Sequence, residues 1–132
     1  LLRRSQRRQQ LLDCAAEHGL FVLLEAFDAT DLAAARELAR GRAGRREQVL
    51  MGLNCRDLES LQIDFARFAA LRSQLPDGWP AVAESGVTQP ADAAHVAGLG
   101  YRLALVGTSL MRHADPAAAV QELLSAGRQA LA

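Results

Sequence analysis

The residues Ala83-Glu84-Ser85-Gly86-Val87-Thr88-Gln89-Pro90 limit the fold of this 132-residue chain more than any other stretch. They follow the apolar pair Ala81-Val82 and run into the helix-forming segment Ala91-Asp92-Ala93-Ala94-His95-Val96. A carboxylate at the end of a buried strand is desolvated at a cost unless it has a partner or a task. A Ser-Gly turn just before a helix presents free backbone N–H groups to an anion. The pattern recurs where Leu103-Ala104-Leu105-Val106 leads into Gly107-Thr108-Ser109.

Read in order, the rest of the chain repeats the same unit. Leu1 to His18 has the apolar spacing of a helix, with Leu2, Leu11, Leu12, Ala15 and Ala16 on one face and Gly19 as its stop. Arg3, Arg4, Arg7 and Arg8 cluster on its first turns; with no aromatic residue interleaved, they read as a solvated face. Leu20 to Ala26 is short and continuously apolar, as expected of a strand buried on both faces of a parallel sheet. Asp28 to Asp31 offers N-caps to a helix over Leu32–Arg40, and a Gly/Arg loop follows over Gly41–Arg46. Gln48–Asn54 is the second strand, followed by a loop over Cys55–Ile63 and a helix over Asp64–Gln74. After the turn cluster Leu75–Pro80 come a third strand, Ala81–Ala83, and a helix over Pro90–Gly98. The fourth strand is Arg102–Val106, and Pro116–Ala130 closes the chain as an Ala-rich helix. Strands alternating with helices predict an α/β fold with a parallel sheet.

Composition narrows the function classes. Net charge is +0, so no global field favours nucleic acid or a membrane surface. All 15 basic residues are Arg, which excludes lysine chemistry from within this chain. Cys14 and Cys55 have neither zinc-ligand spacing nor the numbers of a disulfide framework, and they read as reduced thiols of a cytoplasmic protein. No apolar run reaches the length of a membrane span, and no signal peptide is recognisable. His18, His95 and His113 lack metal-like spacing and read as surface or capping groups; no metal site is expected. Trp79, between prolines, reads as a packing cap, and Met51 and Met111 read as core.

Each predicted strand ends in polar residues: Glu25, then Asn54 with Arg56, then Glu84 with Ser85, then Gly107 with Thr108. Ligands of parallel α/β folds bind where the carboxyl ends of the strands converge. Two carboxylates and an Arg suit acid–base work on an anionic substrate, because burial and neighbouring charge can separate the carboxylates' pKa values. Two successive strand-to-Gly/Ser turns, Ser85-Gly86 and Gly107-Thr108, match the phosphate site that many (βα)₈ barrels build from their last two βα loops.

Four segments carry a closer resemblance. Leu23-Leu24-Glu25-Ala26-Phe27-Asp28, Gly52-Leu53-Asn54-Cys55-Arg56-Asp57-Leu58, Ala83-Glu84-Ser85-Gly86-Val87 and Leu105-Val106-Gly107-Thr108-Ser109-Leu110-Met111-Arg112 resemble, in order and spacing, motifs of indole-3-glycerol phosphate synthase. The resemblance implies that residues 1–132 form one domain, the C-terminal half of a (βα)₈ TIM barrel, from about its fourth helix to its eighth, with the N-terminal half missing. It implies ring closure with decarboxylation and dehydration of 1-(2-carboxyphenylamino)-1-deoxyribulose 5-phosphate, a step of tryptophan biosynthesis that uses no cofactor. By the same resemblance Glu25 corresponds to a proton-transfer carboxylate and Asn54 to a residue near the reacting groups. Arg56 corresponds to a residue holding substrate, and Glu84 to the carboxylate that orients substrate and the catalytic network. Ser85, Gly86, Gly107 and Thr108 correspond to the phosphate-binding turns.

The family's catalytic lysines and a further Glu follow strands that this chain does not contain, so the chain alone is expected to be inactive. The alternatives are a non-catalytic phosphate-binding or assembly module, or another phosphate-sugar barrel such as phosphoribosylanthranilate isomerase; Glu25 and the Asn54-x-Arg56 pair speak against the latter. Four strands leave two open edges, so the expected partners are a phosphorylated small molecule and either a complementing N-terminal half or a second copy of the chain.

Overall fold

A computed structural model of the chain describes residues 4–42 and 48–131. Four parallel strands, β1 (Val22–Ala26), β2 (Val49–Asn54), β3 (Ala81–Glu84) and β4 (Leu103–Leu105), pair in the order β1-β2-β3-β4. The helices are α1 (Arg4–Glu17), α2 (Ala29–Arg40), α3 (Arg67–Leu71), α4 (Pro90–Gly98), α5 (Thr108–Arg112) and α6 (Pro116–Gln129). This is the predicted alternation of parallel strands and helices, consistent with part of a (βα)₈ barrel.

Strand register divides the sheet into two unlike faces. Side chains alternate along a strand, and parallel partners point to the same side. Ala26, Leu53, Met51, Val49, Ala81 and Ala83 therefore share one face, and all are buried in the core beneath the helices. The opposite face carries Leu23 and Glu25 from β1, Gly52 and Asn54 from β2, Val82 and Glu84 from β3, and Leu103 and Leu105 from β4. β2 and β3, with a neighbour on each side, are buried on both faces but for half-buried Leu50, as the apolar runs predicted. The outer strands depart from that expectation: β1 is half-buried, with Glu25 exposed, and β4 is exposed throughout because each has one strand neighbour.

Several boundaries also differ from the sequence reading. β1 starts at Val22 because Leu20 N–H is drawn back to Ala15 O (2.8 Å), ending α1, which leaves Phe21 69% exposed. The helix expected over Asp64–Gln74 shrinks to α3, followed by a 3₁₀ turn over Arg72–Gln74. Tight bonds one residue short of the α spacing, Arg67 N–H to Asp64 O and Phe68 N–H to Phe65 O, precede it. Leu12 is buried, whereas Leu11 is exposed and does not share its face. Met51 is core, but Met111 is 86% exposed on the single turn of α5, so the reading of it as a core residue is wrong. Trp79 packs on the core edge as a cap. Arg7 and Arg8 are solvated, as expected; Leu2, Arg3 and residues 43–46 of the Gly/Arg loop lie outside the described residues.

Arg42 of that loop is buried. Its guanidinium meets the Asp13 carboxylate, Gln9 O (3.3 Å) and Gln48 Oε1 (3.3 Å), and Gln48 Nε2 donates to Leu12 O (2.9 Å). The network ties α1 to the entry of β2, at the end of the sheet away from the polar strand ends.

Candidate functional site

The polar residues gather at the carboxyl end of the sheet. Asn54, the last residue of β2, lies between its neighbours. Its Nδ2 donates to Glu25 Oε1 at 2.6 Å, and its Oδ1 accepts Arg56 N–H at 2.9 Å. Glu84 pairs in register with Asn54 and is 4% exposed. Its Oε1 has no donor among the described residues. Burial first, and the nearby Glu25 carboxyl second, together push the Glu84 carboxyl up to about 7. Two carboxyl oxygens can bond each other only if one carries a proton, and the bond open to Glu84 is of this kind, to Glu25. A carboxyl that exchanges its proton near neutrality, beside an exposed carboxylate held by an amide, can serve as general acid or base.

The loops after the strands frame this pair. Beyond Asn54 the ladder continues as Cys55 N–H bonds Glu84 O (3.1 Å), and Asp64 N–H returns to Cys55 O (2.9 Å). Residues 56–63 close on themselves through a bridge between Arg56 and Ile63. Asp57 Oδ1 caps the loop by accepting from Ser60 N–H (2.7 Å) and Glu59 N–H (3.1 Å), which holds the Asp57 carboxyl below its ordinary range. The Arg56 guanidinium donates to Leu61 O at 3.0 Å. Its side chain thus braces its own loop, and only its backbone reaches the Glu25–Asn54 network.

The turn after β3 is unusual backbone. Ser85 (φ 65°) and Gly86 (φ 75°) are both left-handed, a conformation that strains Ser but not Gly. Ser85 O accepts from Cys55 Sγ (3.5 Å), which fastens the turn to the neighbouring loop. Gly107 and Thr108 lie at the end of β4, where Gly107 O caps α5 through Met111 N–H (3.1 Å). Among the described residues no hydrogen bond joins this turn to Ser85-Gly86. Ser109 Oγ, on the first turn of α5, is buried and without a partner.

Three of the eight candidate residues thus form one constellation, Glu25, Asn54 and Glu84. Arg56 touches it through its backbone, and Ser85, Gly86, Gly107 and Thr108 border it as two separate turns. Two contributors were not singled out from sequence. Arg67 donates to Phe27 O (3.2 Å) and Asn54 O (3.5 Å), binding the ends of β1 and β2 together. Gly52 lies under the Glu84 side chain; a Gly inside a strand is the sequence signal of such a close approach. Among the described residues no group of His, Cys, Asp or Glu could hold a metal ion, and no helix is long and apolar enough to cross a membrane. His95 rests against the Phe65 ring, and His113 Nδ1 accepts Asp115 N–H (3.1 Å).

A parallel βα sheet with acidic and amide groups gathered at its carboxyl edge has the layout of the α/β barrel class, whose ligands bind at that edge. The solved-structure comparison agrees on the fold: a chain of the Amycolatopsis orientalis BexX/CysO complex superposes with a TM-score of 0.61 at 21% identity, over 91% of this chain and 46% of that one. The family model described as indole-3-glycerol phosphate synthase matches residues 2–123. An indole-3-glycerol phosphate synthase of Rhizorhabdus wittichii is 42% identical over 111 residues, covering 84% of this chain and 39% of the relative. One of Azospirillum brasilense is 37% identical over 116 residues, 88% of this chain and 41% of the relative. A multifunctional tryptophan biosynthesis protein of Schizosaccharomyces pombe is 42% identical over 76 residues, 58% of this chain and 10% of that protein. The chain belongs to the indole-3-glycerol phosphate synthase family, and it spans about two fifths of the length of the first two relatives.

Proposed function

We propose that this chain supplies the carboxyl-end half of an indole-3-glycerol phosphate synthase site. There it acts in ring closure, with loss of carbon dioxide and water, on 1-(2-carboxyphenylamino)-1-deoxyribulose 5-phosphate. The observation that carries the reading is the Glu25–Asn54–Glu84 constellation, formed by residues of three motifs that the family resemblance assigns to the reacting end of the substrate. In this reading Glu25 moves the proton, held by Asn54, and Glu84 orients the substrate with a carboxyl that stays protonated to near neutrality. Ser85-Gly86 and Gly107-Thr108 offer backbone N–H groups to the phosphate. Arg56 acts on the substrate only if its guanidinium leaves Leu61 O.

Ring closure also needs a general acid, the task of lysines that the family carries on earlier strands, and this chain has no Lys. The chain alone is therefore proposed to be inactive, and to become active with a partner that closes the barrel. Incubating the purified chain with the substrate, alone and with the N-terminal half of a relative, tests this. The expected outcome is indoleglycerol phosphate only from the mixture, lost again with Glu84→Gln. A mixture that binds substrate without turnover would leave a phosphate-binding module instead.

A further inference from the structure

The face that carries the site has one position with no side chain at all. Gly52 sits in the middle of β2, in register between Glu25 and Val82, where every other residue of the strand but Asn54 is apolar. A Cβ placed there would lie 1.7 Å from Glu84 Oε1, 2.9 Å from Glu84 Cδ and 3.0 Å from Leu23 Cδ1. The first distance is well inside contact, so even alanine cannot coexist with the carboxyl in its present place. Gly52 φ is not left-handed, so no backbone requirement explains the glycine; the space does.

We propose that Gly52 is a positioning residue of the site: the space above its Cα is the berth into which the Glu84 carboxyl folds, against Glu25, with its Oε1 left without a donor among the described residues. Each element packed around Glu84 contributes to that setting. β1 presents Glu25, β2 presents Gly52 and Asn54, and β4 presents Leu105 in register with Glu84. Asn54 turns its amide NH₂ to Glu25, and among the described residues no donor reaches Glu84 Oε1. The Glu84 carboxyl is therefore kept as a neutral acid by being folded down onto bare backbone, and a side chain at position 52 would lift it out. The importance of this for catalysis rests on the function proposed above; the berth itself does not.

Two measurements on the 132-residue chain test it without any turnover assay. In the first, the Glu84 side-chain carboxyl is titrated by ¹³C NMR, assigned by its loss in Glu84→Gln. The midpoint, about 7 in the parent chain, should fall toward the ordinary 4.5 in Gly52→Ala as the carboxyl is lifted into water. In the second, melting temperatures are compared for the parent, Gly52→Ala, Glu84→Ala and the double variant. Gly52→Ala should change the melting temperature of the parent by an amount that depends on pH, as Glu84 is released into water, and should have a different, pH-independent effect in the Glu84→Ala background, where the berth is vacant. An unmoved midpoint, or an equal effect on melting temperature in both backgrounds, overturns the inference. If Gly52→Ala alone does not fold, the double variant decides: restored folding supports the berth, and failure to fold refutes it. Absence of ring closure in the complemented enzyme would count against the proposed function and leave these readouts untouched.

Discussion

Ionising Glu84 works against the fold. Its folded value of about 7 lies above the ordinary 4.5, so between those limits the native chain binds more protons than the unfolded one, and stability falls as pH rises. The gap between 4.5 and about 7 corresponds to roughly 3 kcal/mol, absent near pH 4 and fully developed above pH 7. Glu84→Gln, whose amide cannot ionise and can donate to Glu25, should be more stable than the parent in denaturant unfolding at pH 8. At pH 4 the two should match; a pH-independent difference would exclude this origin. Tyr101 is the contrasting buried group. Burial pushes its phenol up to about 12, although the Arg72 guanidinium over the ring favours ionisation, and its hydroxyl donates to Phe68 O at 3.0 Å. Tyr101→Phe leaves that buried carbonyl short of a partner and should cost about 1–2 kcal/mol at any pH below 10, read by the same unfolding assay.

At the scale of elements, the best-signalled helix is α4. Pro90 occupies its first turn, and Asp92 accepts from Thr88 N–H (2.9 Å), Thr88 Oγ1 (3.0 Å) and Gln89 N–H (3.1 Å). Asp92→Ala should destabilise the chain by about 1 kcal/mol, the usual worth of a cap, and Asp92→Asn by less; equal melting temperatures would refute the cap. These are local interactions, encoded within four residues, and so α4 could be read to its ends from sequence. The helix begun near Asp64 could not: its length depends on where Phe65 and Phe68 pack, edge to face at 5.2 Å, rather than on local propensity. Arg42 was illegible for a similar reason. A Gly/Arg stretch reads as a loop, and nothing local marks Arg42 as turning inward to meet Asp13 and Gln48. Arg42→Ala, which strips partners from buried Gln48 and opens a cavity, should cost about 3 kcal/mol in denaturant unfolding. The site was legible in its residue types, because each strand end advertised its polar group. Its internal order, with Asn54 serving Glu25 and Arg56 turned onto its own loop, follows from side-chain packing that no spacing encodes.

For the whole molecule the decisive property is the sheet's unequal faces and its two outer strands. Helices cover one face, while Leu105 on the other is 58% exposed beside half-exposed Leu103. β1 and β4 each have a side without a strand neighbour, the arrangement that recruits further strands. Size exclusion with light scattering should therefore give the isolated chain a mass well above 14.2 kDa, and Leu103→Lys with Leu105→Lys should bring it back toward that value. A monomer before any substitution would show that the open face is tolerated in water.

Asn54 carries a consequence of another kind. Its amide cannot turn round: Oδ1 must meet the Arg56 N–H, so the NH₂ must face Glu25. Glu25 is thereby always met by a donor, while Glu84 Oε1 is offered none among the described residues. The backbone of the next loop sets that heading, and so the choice of which carboxyl the amide serves is written into the path of the chain between Asn54 and Arg56.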